Sequence, residues 1–123
     1  MFRFRNFQVY MDARIFRSKL KKLSKTKFPS GEKFILISQL WRALDSILLN
    51  IAEGSERHSD IDFSKFLNTS LTSVFEVVAC LDAALDDAYI SNDEHQVYLI
   101  EAEGLAKQLS AFSAKVRGKN SKT

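Results

Sequence analysis

The stretch FILISQLWRALDSILLNIAEG, residues 34–54, decides the fold of this 123-residue chain. It contains no proline, and its large apolar residues recur at steps of three and four. That spacing is typical of a helix with one buried face. The predicted helix has Ser30 as its N-cap, and Gly54 lies just past its end. Its buried stripe consists of Ile37, Leu40, Leu44, Ile47 and Ile51.

The opposite side of this helix carries a narrow polar stripe, because its members are spaced to share one face at 3.6 residues per turn. Two interpretations stay open: a solvated face, or a contact with another subunit or a ligand. The scarcity of mixed Lys and Glu, which is typical of a wet surface, favours a contact. Glu53 and Arg57 are predicted to pair across the helix end as a structural lock or an interface element. The stripe and this end comprise Gln39, Arg42, Ser46, Asn50, Glu53, Gly54 and Arg57.

Three further helices are predicted on either side of this one, over residues 7–25, 60–88 and 92–116. Short connections between helices of similar length predict a single all-α domain, an up-down-up-down antiparallel four-helix bundle. Residues 1–6 form an N-terminal arm that packs on a neighbouring surface, and residues 118–123 form a flexible basic tail. The first helix is predicted to place Val9, Ala13, Phe16, Leu20 and Leu23 in the core. The predicted core residues of the third helix are Phe63, Phe66, Ser70, Val74, Val77, Leu81, Ala84 and Ala88. Those of the fourth helix are Val97, Ile100, Leu105, Leu109 and Phe112.

Local signals support the predicted helix boundaries. Ser59 and Ser91 are predicted N-caps, and Glu94 stands three residues after Ser91 as in a capping box. Pro29 biases Phe28 away from helix. Gly104 lies in the middle of the fourth helix, where it costs about 1 kcal/mol relative to alanine, so a close helix approach is expected there.

Charge is distributed very unevenly along the chain. Residues 1–33 hold ten Lys/Arg against two Asp/Glu, residues 34–114 hold four against thirteen, and residues 115–123 hold four against none. On the first helix the cations share the face opposite its apolar stripe, and Arg17 and Lys21 are predicted to face solvent. Such a face is either a soluble outer surface or an electrostatic footprint for phosphates. The cations are Arg14, Arg17, Lys21, Lys22 and Lys25.

Residues that would indicate catalysis are scarce. Cys80 is the single cysteine and lies among apolar residues, so it is predicted to be a core residue without a disulfide partner. His58 and His95 provide no metal-ligand cluster, and neither follows an inward Glu by three residues. We predict a non-enzymatic protein without catalytic residues, metal or cofactor. The absence of a signal-peptide core and of a long uninterrupted apolar run predicts a cytoplasmic protein without a membrane partner.

The NIAEG motif at positions 50–54 and its flanks stand in the order of a known bacterial family. The shared residues are Phe28, Pro29, Glu32, Phe34, Gln39, Arg42, Ala43, Ser46, Ile47, Asn50, Ile51, Ala52, Glu53, Gly54, Arg57, Phe63, Phe66, Leu67, Ser73 and Glu76. The chain resembles the four-helix bundle proteins encoded in intervening sequences of 23S ribosomal RNA genes. That group is similar to the accessory variability protein of diversity-generating retroelements. Trp41 and Thr72 depart from the family pattern, which usually has a basic residue and a glycine there.

The resemblance implies a homo-oligomer, specifically a pentameric barrel of bundles, with RNA or DNA and a reverse transcriptase as possible partners. Two hypotheses for function follow. The first is a self-assembling module that binds the nucleic-acid backbone through the basic face of its first helix. The second is a protein-interaction or scaffold module, in which that face docks an acidic protein or the acidic face of another copy.

Overall fold

The computed structural model describes residues 1–121, apart from the side chains of residues 32–34 and 119–121. It contains four long helices: α1, Gln8–Lys27; α2, Ser38–Ser55; α3, Asp60–Asp86; and α4, Asn92–Ser121. Short turns precede α1 and α2, and no strand occurs within residues 1–121. The helices pack in a closed order in which α3 contacts α2 and α4, and α1 contacts the same two helices. The predicted all-α four-helix bundle is confirmed.

One hydrophobic core runs through the bundle and draws on all four helices. The predicted stripes of α1 and α2 are confirmed, because every one of their members is buried. Of the positions predicted for the core of the third helix, Phe66 is only half-buried and Ala88 is exposed, whereas the others are buried. Fully burying one large aliphatic side chain stabilises the fold by about 1.5–3 kcal/mol. The largest fully buried side chains are Leu20, Leu40, Leu44, Ile47, Ile51, Leu67, Leu81 and Leu109.

The inward face of α4 differs from the prediction. Val97 and Ile100 were expected in the core, but they are 55% and 58% exposed. Leu105 and Leu109 are buried as predicted, and they set the rotation of the helix. Ile100 is five residues before Leu105, which places it on a different side of a 3.6-residue helix. Two core positions of α4 are occupied by the small side chains of Ala102 and Ser113. The buried residues among the described side chains of α4 are Ala102, Leu105, Leu109, Ser113 and Val116.

The start of α2 also differs from the prediction. Phe28 is extended, as Pro29 requires, with φ −80° and ψ 134°. A 3₁₀ turn over Ser30–Glu32 and a π turn over Lys33–Ile37 follow it before the α-helix begins at Ser38. Ser30 is therefore not the N-cap of α2, because the 3₁₀ turn and the π turn lie between it and the first residue of the regular α-helix. The helical cap position belongs to Ile37.

Three helix ends lie beyond or short of their predicted positions. Gly54 is inside α2, which is capped by Glu56, so Gly54 does not serve as a left-handed terminator. α3 ends at Asp86, since Ala88 adopts a left-handed φ of 62° that no helix accommodates. α4 continues to Ser121, so residues 118–121 of the predicted flexible tail are helical. Residues 122 and 123 lie outside the described residues.

Two predicted caps are confirmed. The Ser59 side chain accepts a hydrogen bond of 3.1 Å from the Asp62 backbone N–H. At the start of α4, Ser91 Oγ accepts from the Glu94 N–H at 3.0 Å, and Glu94 Oε1 accepts from the Ser91 N–H at 2.9 Å. This reciprocal pair satisfies two N–H groups of the first turn. The hydrogen bond from the Ser91 backbone lowers the pKa of Glu94.

The N-terminal arm packs on its own bundle, as the sequence predicts. It forms a 3₁₀ turn over Arg3–Asn6. Arg3 Nη2 donates to the Ser55 carbonyl at 2.9 Å, and its guanidinium lies 5.3 Å from the centre of the Phe63 ring. These contacts fasten the arm across the end of α2 and the beginning of α3.

Two helical segments, Ile35–Ser55 and Asp60–Asp86, are long and apolar enough to cross a membrane by length and composition alone. Both supply core residues to the bundle. Because the core helix of a soluble protein meets the same criteria, this property is weak evidence for a membrane span.

Candidate interaction surfaces

The five candidate cations of α1 lie along one side of the helix, outside its core stripe. Arg14, Lys22 and Lys25 are exposed, whereas Arg17 and Lys21 are half-buried. At 1.5 Å per residue, the row from Arg14 to Lys25 is about 16 Å long. The structure therefore groups these side chains as predicted, but it divides them by their surroundings.

Arg17 is held by a carboxylate of the neighbouring helix. Its Nε lies 2.7 Å from Asp45 Oδ1 on α2, and the two side chains are 34% and 47% exposed. The prediction that Arg17 faces solvent is wrong, because α2 supplies a partner that cannot be read from the helical pattern of α1 alone. An ion pair this exposed contributes about 0–1 kcal/mol to stability. Its main consequence is that the charge of Arg17 is largely compensated.

Lys21 and Lys25 lie against an aromatic ring rather than a carboxylate. The ammonium groups of Lys21 and Lys25 are 4.2 Å and 5.6 Å from the centre of the Trp41 ring. Cation–π contacts at exposed sites are worth about 0.5–1 kcal/mol. Lys21 is half-buried for this reason, so the expectation that it faces solvent freely is also wrong. The indole N–H of Trp41 donates to Ser24 Oγ at 3.0 Å, which fixes the ring between α1 and α2.

Carboxylate partners elsewhere on α1 are unevenly distributed. Lys19 Nζ lies 2.6 Å from Glu101 Oε1, and this hydrogen bond raises the pKa of Lys19. Lys27 lies 3.6 Å from Glu94. Asp12, the single acidic residue of α1, accepts hydrogen bonds from Gln8 at 2.8 Å and Gln108 at 3.0 Å. Among the side chains that the structure describes, the α1 cations without a carboxylate at ion-pair distance are Arg14, Lys21, Lys22 and Lys25.

The polar stripe of α2 lies in the outer groove between α2 and α3. Ser73 Oγ donates to Ser46 Oγ at 2.8 Å. The amide nitrogen of Asn50 donates to the Ser46 carbonyl at 2.8 Å and to its hydroxyl at 3.0 Å. Arg42 reaches Glu76 at 3.7 Å. The Ser73–Ser46 hydrogen bond and the Arg42–Glu76 ion pair both link α2 to α3, and we call this row of side chains the seam.

The lower end of the seam is a close approach of α2 to α3. A Cβ added to Gly54 would lie 2.7 Å from Phe66 Cβ and 3.0 Å from Phe63 Cδ1. Arg57 lies 2.7 Å from Glu53 and 4.5 Å from the centre of the Phe66 ring. Because both charged side chains are substantially exposed, their pair adds about 0.3–0.5 kcal/mol. Gly54 thus allows α2 and α3 to approach closely, and Glu53 and Arg57 pair across the end of α2 beside this contact.

The upper end of the seam opens into a shallow groove of about 230 Å³. Gln39, Arg42 and Glu76 line it together with Cys80. Cys80 is buried, as predicted, and desolvation raises the pKa of its thiol, with a further contribution from Glu76. A thiol held protonated in this way is a weak nucleophile.

Histidines and carboxylates are not gathered in a metal-like arrangement. Within the part of the chain that the structure describes, no group of three or more His, Cys, Asp or Glu side chains could hold a metal ion. His95 Nε2 lies 2.8 Å from Asp82 Oδ1, and His58 is exposed in the turn between α2 and α3. The His95–Asp82 contact links α4 to α3.

An apolar groove between α3 and α4 is a surface that sequence reasoning missed. Phe75 is 62% exposed there, beside Leu99 and Ala106, with Glu103 at the rim. The groove has a volume of about 340 Å³. Phe75 follows the core residue Val74 directly, so it lies about 100° away from the buried stripe. The position of Phe75 outside the buried stripe of the third helix is the sequence signal that could have predicted this exposed apolar surface.

The comparisons with known proteins agree with this architecture. A model of the 23S rRNA-intervening sequence protein family matches residues 5–111. The chain belongs to this family. A crystal structure of a protein with unknown function from the S23 ribosomal protein family of Bacteroides thetaiotaomicron aligns with a TM-score of 0.78. It covers 85% of this chain and 97% of its own, at 23% identity, which shows a shared fold. No curated protein matches the chain.

The predicted family is thus confirmed, and both candidate surfaces fall within the matched residues. The basic side of α1 runs from Arg14 to Lys25, and the seam runs from Gln39 to Arg57, all inside 5–111. Trp41 lies within the sequence range of the seam, but its ring contacts Lys21 on the basic side of α1. This intervening-sequence protein therefore has a basic side on which Lys21 and Lys25 contact the ring of Trp41.

Proposed function

We propose that this protein is a non-enzymatic, self-assembling helical bundle that binds the backbone of RNA or DNA through the basic side of α1. One observation carries the proposal. Arg14, Lys21, Lys22 and Lys25 share that side without a carboxylate at ion-pair distance among the described residues. Like charges so close on one helix repel each other by a few tenths of a kcal/mol per pair. A row of phosphates removes that repulsion.

The kind of recognition follows from what α1 presents. Lysine and arginine side chains that contact phosphates fix position on a nucleic acid but carry no sequence information. α1 is also packed along its length against α2 and α4, so it cannot enter a major groove as a free helix. We therefore expect binding with little sequence preference, governed by backbone charge and shape.

Self-assembly is the second part of the proposal. Phe75 and the α3–α4 groove expose more contiguous apolar surface than a scattered set of single residues would. We propose a second copy of the chain as the occupant, because a groove on α3 and α4 that is repeated on identical copies can be buried between them and leaves the basic side of α1 free for phosphates. The resemblance to the accessory variability protein implies a homopentamer. Repetition of the α1 side in an oligomer would convert weak phosphate contacts into avid binding.

A protein-interaction role is the alternative. The same charge complementarity would suit an acidic protein docked on α1, and the resemblance to retroelement accessory proteins implies a reverse transcriptase as one such partner. In that case Arg14 and Lys22 would contact carboxylates. The two roles differ in whether a nucleic acid alone binds the purified protein.

Fluorescence anisotropy of a labelled mixed-sequence RNA and of a duplex DNA, at about 50 mM salt, tests the proposal. The decisive variant is Arg14→Glu/Lys22→Glu, because both side chains are exposed and, among the described residues, neither makes a side-chain hydrogen bond or ion pair whose loss would disturb the fold. We expect the parent to bind both nucleic acids and this variant to lose binding while it melts like the parent.

The matched control is Lys65→Glu/Lys107→Glu, which makes the same change in net charge on α3 and α4. Both of these lysines are exposed, and Lys107 contacts only Glu103 on its own helix. Retained binding by the control, with loss by the α1 variant, supports the basic side. Absence of binding by the parent would refute the nucleic-acid function and favour the protein-interaction role.

A further inference from the structure

We infer that Lys21 and Lys25, supported by the ring of Trp41, are the principal phosphate-binding point of the basic side. The inference rests on the proposed function, and it names which cations do the binding and which do not. Its ligand is the phosphodiester group, whether from single-stranded RNA or from duplex DNA. Trp41 acts as a positioning residue, since it touches the lysines rather than the ligand.

The ring is fixed before any ligand arrives. Trp41 Nε1 donates to Ser24 Oγ at 3.0 Å, and Ser24 Oγ in turn donates to the Lys21 carbonyl at 2.9 Å. Ser24 itself is fully buried. This chain of hydrogen bonds ties the indole on α2 to the same turn of α1 that carries Lys21. The ring therefore has a defined place beneath the ammonium group.

The ammonium groups gain order without losing charge. Lys21 Nζ is 4.2 Å and Lys25 Nζ is 5.6 Å from the ring centre, so one neutral surface attracts two cations. A lysine side chain in solvent samples many rotamers, and a ligand that binds it must fix them. Where the cation already rests on a ring, part of that ordering precedes binding.

Arg17 provides the contrast on the same helix. It is half-buried like Lys21, but it faces Asp45 at 2.7 Å. A phosphate approaching Arg17 would have to share it with this carboxylate, and the negative charge of Asp45 would repel the phosphate. A phosphate approaching Lys21 meets a ring with no net charge. We therefore assign Arg17 to the link between α1 and α2 and not to the ligand.

Base stacking on Trp41 is the competing mode. Exposed aromatic rings stack bases in many single-strand-binding proteins. Here the ring is half-buried between two helices, and Lys21 covers it at 4.2 Å. The geometry points to phosphate contact without stacking. A polyanion that has no bases should then compete with RNA.

The first test compares two neutralising changes by anisotropy. Lys21→Gln/Lys25→Gln should weaken binding several-fold and reduce the log–log salt slope on duplex DNA by about 0.9 per lysine. Arg17→Gln/Asp45→Asn removes a complete ion pair and leaves the net charge unchanged, so its affinity and slope should match the parent. Inorganic polyphosphate should displace labelled RNA from the parent.

The second test uses Trp41 itself, which is the single tryptophan of the chain. Its emission should change on saturation with RNA or with polyphosphate, because either ligand brings negative charge to the ammonium groups that lie against the ring. Trp41→Leu should weaken binding without altering net charge, and Trp41→Phe should restore much of it. Both variants lose the bond to Ser24, so the difference between them isolates the aromatic face.

The outcomes separate this inference from the proposed function. The inference is overturned if the parent binds RNA without a change in Trp41 emission and the lysine variant binds RNA as tightly as the parent. That result would leave nucleic-acid binding by the protein intact. RNA binding that polyphosphate does not compete with, and that the lysine variant retains while Trp41→Leu loses it, overturns phosphate contact in favour of base stacking. A parent that binds neither RNA nor DNA overturns the proposed function itself.

Discussion

Two glycines in helix interiors have opposite surroundings, and this difference makes them a matched pair. A Cβ at Gly54 would lie 2.7 Å from Phe66 Cβ, whereas a Cβ at Gly104 would meet nothing within 4 Å. Gly54 is thus required by the approach of α3 to α2. Gly104, which was expected to mark a close approach, instead borders a groove between α1 and α4. The prediction that Gly104 marks a close approach of two helices is wrong, because α4 is rotated about its axis relative to the predicted orientation.

Replacing each glycine by alanine should therefore shift stability in opposite directions. Gly54→Ala should lower the free energy of unfolding by about 1–3 kcal/mol, because the added methyl group overpacks the α2–α3 seam. Gly104→Ala should raise it by up to about 1 kcal/mol, because alanine is the better helix former and has room. Urea unfolding of the two variants measures both effects. Equal stabilisation by the two changes would show that the seam is looser than its geometry indicates.

At the scale of elements, the first turn of α4 depends on one reciprocal cap. Ser91→Ala should lower the free energy of unfolding by about 1 kcal/mol, because Ser91 Oγ accepts the Glu94 N–H at 3.0 Å. Ser110→Ala, an exposed position further along the same helix, is the control and should cost nothing. Thermal unfolding distinguishes the two, and an unaffected Ser91→Ala variant would contradict the role of the cap.

The same cap predicts a pH dependence with a definite sign. The pKa of Glu94 is lowered in the folded state, chiefly by the Ser91 backbone N–H. Glu94 therefore contributes stability above its unfolded pKa of about 4.3, and this contribution is lost as the pH falls through the lower folded value. The difference in stability between the parent and Glu94→Gln should be present near neutrality and disappear in acid. A difference that persists unchanged in acid would exclude the charge of Glu94 as its cause.

Sequence reasoning located the elements well where large apolar residues mark the core, as in α1 and α2. It failed on α4, where Val97 and Ile100 are exposed and Ala102 and Ser113 are in the core. Small side chains such as these do not contribute to the spacing of large apolar residues from which a buried face is predicted. It also placed the start of α2 too early. The irregular turns between Pro29 and Ser38 depend on packing that propensities do not describe.

The whole molecule presents an unpaired apolar groove, and its assembly should depend on that groove. Phe75→Glu places a charge in the α3–α4 groove and should shift the protein toward the monomer, as measured by light scattering. Thr69→Glu is the control, since Thr69 is exposed and lies about 120° around the same helix from Phe75. An oligomer that survives Phe75→Glu would assign assembly to another surface, and a monomeric parent would remove self-assembly from the account.

The candidate surfaces were predictable only in part. Helical spacing sufficed to gather Arg14, Lys21 and Lys25 on one side of α1. It could not reveal that Asp45, which is 28 positions away from Arg17, compensates that charge. Nor could it place Trp41 beneath two lysines. Pairings of this kind arise from the contact between α1 and α2, which is set by the core and not by either helix alone.

The salt dependence of nucleic-acid binding tests the central claim most directly. Each phosphate contact on duplex DNA adds about −0.9 to the slope of log binding constant against log salt, because counterions are released. The account predicts a steep negative slope for the parent and, for Arg14→Gln/Lys22→Gln, a slope shallower by about 1.8. A parent protein with no measurable affinity at about 50 mM salt, or with an affinity that salt leaves unchanged, would contradict it.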